Sequence, residues 1–130
     1  MSNRLTVRGA EALDALDAAL SYADQVEAAL KQLEGVVLTP LSLRHLHFIS
    51  KRLASSIPDR AQALGCFPAS AAYITKVLLE QDLIKPTQIP GSKTRRYKLS
   101  GHGAKVLEAV ASVLAPLAET KEAKILRKRA

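Results

Sequence analysis

Lys93, Arg95 and Arg96 sit together in the run GSKTRRY, which begins at Gly91 directly after Pro90. Cations on a tight turn suit phosphate: each one that neutralises a nucleic-acid phosphate releases a condensed counterion, and a hairpin tip can lay such side chains along or into a minor groove. The competing reading is a merely solvated turn. Upstream, Pro68, Ala69, Ser70, Ala72, Tyr73 and Lys76 recur at the spacing of one helix face that is small and polar, with a single cation. Tyr73 and Lys76, one turn apart, are candidates for groove contact, against the alternative of covering the core. Ser70 can equally satisfy a backbone group in the first turn of its helix. Arg44 divides evenly between a phosphate contact and an internal salt bridge.

Other chemistry has less support. His45 and His47 are two residues apart, so on a helix they point to nearly opposite sides and cannot chelate one ion together. No metal and no cofactor is expected. Cys66 stands alone, which excludes an intrachain disulfide and fits a reducing compartment. Its position in a turn makes a redox switch conceivable, yet a small buried apolar residue is the default. No nucleophile motif and no glycine-rich phosphate loop occurs, so an enzyme is not expected.

Charge is segregated along the chain. Residues 38–100 carry 10 of the 19 Lys and Arg but 3 of the 12 acids, a surplus equal to the whole formal charge of +7. Residues 1–37 are acidic by three, and residues 101–130 basic by three. A focused positive field favours a polyanionic partner, although charge alone leaves a solvated surface equally open. With no Trp and 4% aromatic residues, stacking platforms for single strands are scarce, so duplex DNA is the better candidate. The 130 residues, 48% apolar, suit one domain over 1–130 with a real core. Arg4, Arg8, Glu11, Asp14 and Asp17 interrupt the N-terminal region, so neither a signal peptide nor a membrane span is expected. A cytoplasmic protein associated with the nucleoid follows.

These residues need elements to hold them. Leu13, Leu16, Leu20, Ala23, Val26, Leu30 and Leu33 recur in threes and fours, predicting an amphipathic first helix ended by Gly35. Its polar face is mostly acidic, which suits packing on a partner helix better than lying on DNA. Thr39 and Pro40 predict the start of a second helix running to about Ala54, with Leu43, Leu46, Phe48, Ile49 and Leu53 buried. Ser56 and Asp59 form a capping box for a short third helix that Gly65 stops. After the turn Gly65, Cys66, Phe67, Pro68 opens a fourth helix, 68–82, with Ala71, Ile74, Val77 and Leu78 inward. That outline is a helix-turn-helix. Leu83–Ile89 and Arg95–Leu99 predict a two-stranded hairpin, a wing with its tip over 90–96; Pro86 and Pro90 confine the first strand to an edge. Ser100 caps a last helix that Pro116 should kink or break, and the end KILRKRA is expected to fray. The fold class is therefore mainly α with a small two-stranded β-wing.

LTPLSLRHL at 38–46, ALG at 63–65, VLLEQDLI at 77–84 and LSGHG at 99–103 stand in an order and at separations that resemble the MarR family of winged helix-turn-helix regulators, over roughly residues 10–118. The resemblance implies a homodimer clasped through terminal dimerisation helices, here 10–34 and 101–128. The winged helix-turn-helix at 38–100 then straddles a near-palindromic site, reading it with helix 68–82 and wing 90–96. The amphipathic end helices suit that arrangement independently. The expected function is sequence-specific transcriptional regulation, as a repressor, with double-stranded DNA and a second copy of the chain as partners. A small-molecule effector between the dimerisation helices and the winged helix is allowed. The DNA-binding residues would be Arg44, Pro68, Ala69, Ser70, Tyr73, Lys76, Lys93, Arg95 and Arg96. The alternative is a winged-helix module that binds protein, as an antiactivator or an accessory factor in replication or conjugation.

The sequence also departs from that pattern. Asp82 replaces the glycine that usually ends the recognition helix, where a left-handed residue other than glycine is costly. The wing lacks the family's D-x-R acid near Arg95 and is short, similar to wings of PadR-type regulators. Positions 68, 69, 72 and 73 lack the Ser and Arg frequent there, leaving Ser70, Tyr73, Lys76 and alanine methyls to meet the bases.

Overall fold

The computed structural model describes residues 6–128. Helix α1, Val7–Leu30, starts where the Thr6 hydroxyl accepts the Gly9 N–H at 2.9 Å. It ends five residues before Gly35, because the chain turns at 31–33 and sends Leu33, Val36 and Leu38 onto the core. Gly35 takes a left-handed φ of 74° in the following loop instead of capping the helix. The helix stripe is also divided. Val26, Ala29 and Leu30 are buried, whereas Leu13, Leu16 and Leu20 are each more than half exposed.

Helix α2, Pro40–Ser50, begins as expected: the Thr39 hydroxyl accepts the Ser42 N–H and the Ser42 hydroxyl accepts the Thr39 N–H. It stops short of Ala54 because Ser55 leaves the helix to pair with Tyr97, N–H to carbonyl in both directions, at 3.1 and 2.8 Å. The turn this forces leaves Leu53 95% exposed, not buried as its spacing suggests. Arg52 there stacks on the Phe48 ring at 4.1 Å.

Helix α3, Ile57–Leu64, is capped by Ser56 and closed by Gly65 at φ 69°, with Cys66 N–H returning to Ala61 O and Gly65 N–H to Gln62 O. Helix α4, Pro68–Glu80, ends in the same motif with Asp82 at φ 58° in the glycine position: Leu83 N–H reaches Leu78 O and Asp82 N–H reaches Leu79 O. Left-handed backbone at a residue with a Cβ costs about 1 kcal/mol or more. Part of this is offset by the Ser100 hydroxyl, which donates to the Asp82 carbonyl at 2.5 Å.

Strands β1, Ile84–Thr87, and β2, Arg96–Leu99, pair antiparallel with Ile84 opposite Leu99 and Pro86 opposite Tyr97. Both are shorter than the sequence predicts, since Pro90 and Gly91 (φ 83°) turn the chain between Ile89 and Ser92 and leave 88–95 as the wing loop. Pro86 lies on the unpaired edge, as a residue without an N–H must. Helix α5, Gly101–Leu114, starts at Ser100, whose hydroxyl accepts the Gly103 N–H. A Cβ on Gly103 would land on the Leu83 carbonyl oxygen and come within 2.9 Å of Leu99 Cδ1, so this glycine lets α5 abut the start of the wing.

Pro116 breaks the last helix as expected: a 3-10 turn over Ala115–Glu119 leads into α6, Lys121–Lys128. The segment from Lys124 to Lys128 is helical, not frayed, because Thr120 caps it and α6 lies against α1, where Ser21 Oγ donates to Glu122 Oε1 at 3.3 Å. Arg129 and Ala130, also in the segment expected to fray, lie outside the described residues. One apolar core runs from Val26 and Leu30 through Leu46, Ile49, Ile74, Leu78, Leu83 and Tyr97 to Val106 and Val110. Among the described residues, no helix is long and apolar enough to cross a membrane.

Candidate nucleic-acid interface

The position of α4 depends on a buried cation. Arg60 of α3 has no exposed surface; its Nε donates to His45 Nδ1 at 3.0 Å on α2, and its Nη2 to the Ala71 carbonyl at 3.1 Å and to Thr75 Oγ1 on α4. Thr75 in turn donates to Ala71 O at 2.8 Å. One guanidinium thus joins all three helices. Accepting that hydrogen bond requires neutral His45, and burial, reinforced by the charges of Arg60 and Arg44, lowers its pKa from 6.5 to about 4. Burial also lowers the pKa of Arg60. Sequence reasoning missed Arg60. The available signal was its place on the inward side of a short helix, three residues after Ile57 and four before Leu64.

The far side of α4 faces solvent. Pro68, Ala69, Ser70, Ala72, Tyr73 and Lys76 are all exposed, Tyr73 at 68%. Unlike α1, α2, α3 and α5, α4 has no side-chain N-cap, since Phe67 occupies that position and is 80% exposed. An open groove of about 580 Å³ runs beside this face, with Val37 and Leu41 opposite Ala69 and Tyr73. The loop on its far side is tied to α4 by Gln81, whose side chain accepts from Val37 N–H at 2.7 Å and donates to Val37 O at 2.9 Å.

In the wing, Lys93 and Arg95 are exposed and line a hollow with Pro86, Thr87 and Gln88. Arg96 is placed differently: it is half-buried and its Nη1 lies 3.7 Å from Asp59 Oδ2 on α3. The acid absent from the hairpin is supplied by another element. Two further cations emerge from the strand register, which sets Lys85 directly opposite Lys98. Like charges facing across a strand pair are destabilising on their own account, and an anion resting on that face relieves them. Either lysine could have been found from sequence once the hairpin register was known.

Arg44 is not brought to these residues. It lines a separate crevice of about 420 Å³ between α1, α2 and α5, with Tyr22, Val26, His47, Leu107 and Leu114. His45 and His47 diverge as their spacing requires, one in the core and one at this crevice. No group of three or more metal-ligating side chains converges among the described residues. Cys66 is partly buried in the turn before α4.

No family model matches the sequence, and no curated protein is similar to it at the sequence level. Solved structures are similar in fold. A mutant of MarR from E. coli, complexed with operator DNA, superposes with a TM-score of 0.74 at 14% identity over 85% of this chain and 77% of that one. RV1404 from Mycobacterium tuberculosis gives 0.76 at 18% identity over 98% and 84%. The transcriptional repressor CouR, bound to a 23-mer DNA duplex, gives 0.70 at 18% identity over 79% and 75%. With its helix-turn-helix, hairpin and flanking helices in this order, the chain has the MarR-like winged-helix fold.

Proposed function

We propose that this chain is a homodimeric, sequence-specific DNA-binding regulator that represses transcription by occupying a near-palindromic promoter site. The observation that carries this reading is the juxtaposition of an exposed, uncapped recognition helix with a hairpin bearing Lys85, Lys93, Arg95, Arg96 and Lys98. Two similar folds, MarR and CouR, are seen with DNA. In the proposed complex the reading helix at 68–82 enters the major groove and the wing at 90–96 lies on the adjacent backbone or minor groove. The chain acts as one domain without a catalytic role, in the cytoplasm at the nucleoid.

The exposed leucines of α1 support the dimer. Leu13, Leu16 and Leu20 form one apolar stripe, and burying the half of each that is still exposed is worth on the order of 1 kcal/mol apiece. Their natural cover is the same terminal helices of a second copy, which places two reading helices about 10 base pairs apart. The crevice with Arg44 and His47 lies between the proposed dimerisation helices and the winged helix, where a small effector would sit.

Fluorescence anisotropy on genomic fragments tests the function. A preferred fragment bound by two chains is the expected result; uniform weak binding with no preferred sequence overturns it. The groove lined by Val37, Leu41 and Tyr73 favours one other reading, a protein-binding winged helix. A stable protein complex, recovered where no DNA fragment is retained, would decide for that reading.

A further inference from the structure

We infer that α4 reads thymine: its solvent face is shaped to meet the C5-methyl groups of thymines in the major groove, making the half-site beneath it T-rich and methyl-dependent. The inference rests on the DNA-binding reading above and adds the base that is recognised.

Elimination carries the first step. In the major groove guanine is read by Arg or Lys, adenine by Asn or Gln, and cytosine by Asp or Glu, while the thymine methyl is the one apolar group on offer. From Pro68 to Lys76 the exposed positions of α4 hold no Arg, Asn, Gln, Asp or Glu. Gln81 is engaged at both ends of its amide with Val37. Glu80 is exposed but sits in the last turn, and recognition helices contact bases with their N-terminal residues. Lys76, the one guanine reader on this face, stands in the third turn beyond those N-terminal residues, so what remains near the helix start is the methyls of Ala69 and Ala72, the Pro68 ring and the hydroxyls of Ser70 and Tyr73.

Spacing and size carry the second step. Ala69, Ala72 and Tyr73 stand at i, i+3 and i+4, hence on one face. Ala69 and Ala72 are about 4.5 Å apart along the helix axis, little more than one base-pair step of about 3.4 Å. Side chains this short let the helix backbone approach the groove floor, where methyl meets methyl. Val37 and Leu41 continue the apolar surface beside Tyr73.

The test uses the whole protein and a duplex selected by it from a random pool, remade with deoxyuracil for thymine under α4, at one salt concentration. Affinity is expected to fall about fourfold for each methyl removed. Deoxyuracil placed outside the footprint should change nothing. Ala72→Ser, which keeps the helix, is expected to shrink the ratio of thymine-duplex to uracil-duplex affinity. Equal affinity for thymine and uracil duplexes, or a selected half-site of G·C pairs, overturns the inference and leaves the DNA-binding reading standing. Failure to select any preferred duplex overturns both.

Discussion

Helix α4 and the wing divide their chemistry almost without overlap: the helix presents methyls, two hydroxyls and Lys76, whereas the hairpin presents five cations between Lys85 and Lys98. The division teaches which part can supply what. In the proposed complex the hairpin cations would meet phosphates, which every sequence carries, and so would supply affinity and salt dependence. The helix has little charge to contribute, so its part in that complex would be selection. Each part is also held differently, α4 by the buried guanidinium of Arg60 and the hairpin by main-chain pairing to Ser55 and Leu83.

The largest expected effect removes the frame that both parts share. Gly103→Ala drives a methyl onto the Leu83 carbonyl, at the junction of α4, the wing and α5, and should cost about 3 kcal/mol. Gly101→Ala, with open space around it, is the control and should stay within about 0.5 kcal/mol. Thermal melts of the two variants make the comparison.

A second effect acts on the helix side alone. His45 has a folded pKa of about 4 against 6.5 unfolded, so between these values the unfolded chain binds the extra proton. The contribution is therefore intact above about pH 6.5 and lost as pH falls, by on the order of 3 kcal/mol near pH 4. Denaturant titrations across that range, beside His45→Gln, should show the loss in the parent and a smaller one in the variant. Equal losses would mean that the triad of His45, Arg60 and Thr75 is not what holds α4.

The third prediction separates the parts directly. Lys93→Ala with Arg95→Ala should weaken binding to all duplexes and flatten the salt dependence by about 0.9 per lost phosphate contact. Tyr73→Ala should leave that slope unchanged and reduce discrimination between preferred and random DNA, by about 1 kcal/mol. A Tyr73 variant that alters the slope would blur the division. The smallest effect concerns the facing lysines. Lys98→Thr should stabilise the free protein by about 0.3 kcal/mol, because the repulsion across from Lys85 disappears, while DNA affinity drops. Hairpin stability and binding moving in the same direction would show that this pair has no anion to meet.

The sequence made the starts of elements legible and many of their ends illegible, for a physical reason. A start is local: Thr39 with Pro40, Ser56 with Asp59, and Ser100 satisfy their own helix's N–H groups within a turn. An end is often decided from afar. Helix α2 stops where Ser55 meets Tyr97, and α1 stops where Leu33 must reach the core, neither of which a neighbouring residue announces. The candidate interface divides in the same way. The face of α4 follows from helical period, and Lys93 and Arg95 from the turn. The clamp of Arg96 by Asp59, the diversion of Arg44 to a crevice and the burial of Arg60 all depend on partners far along the chain.

The paired hydrogen bonds between Ser55 and Tyr97 have a mechanical consequence. They fasten the wing's inner strand to the corner between α2 and α3, while Ser100 and Gly103 lock its other end to Leu83. The hairpin base is thus held at both ends against the body that also carries α4, as the two jaws of a caliper share one beam. If the chain pairs and binds DNA as proposed, a signal that alters occupancy would act by tilting one set of jaws against its twin, changing the gap between copies instead of the bite within one.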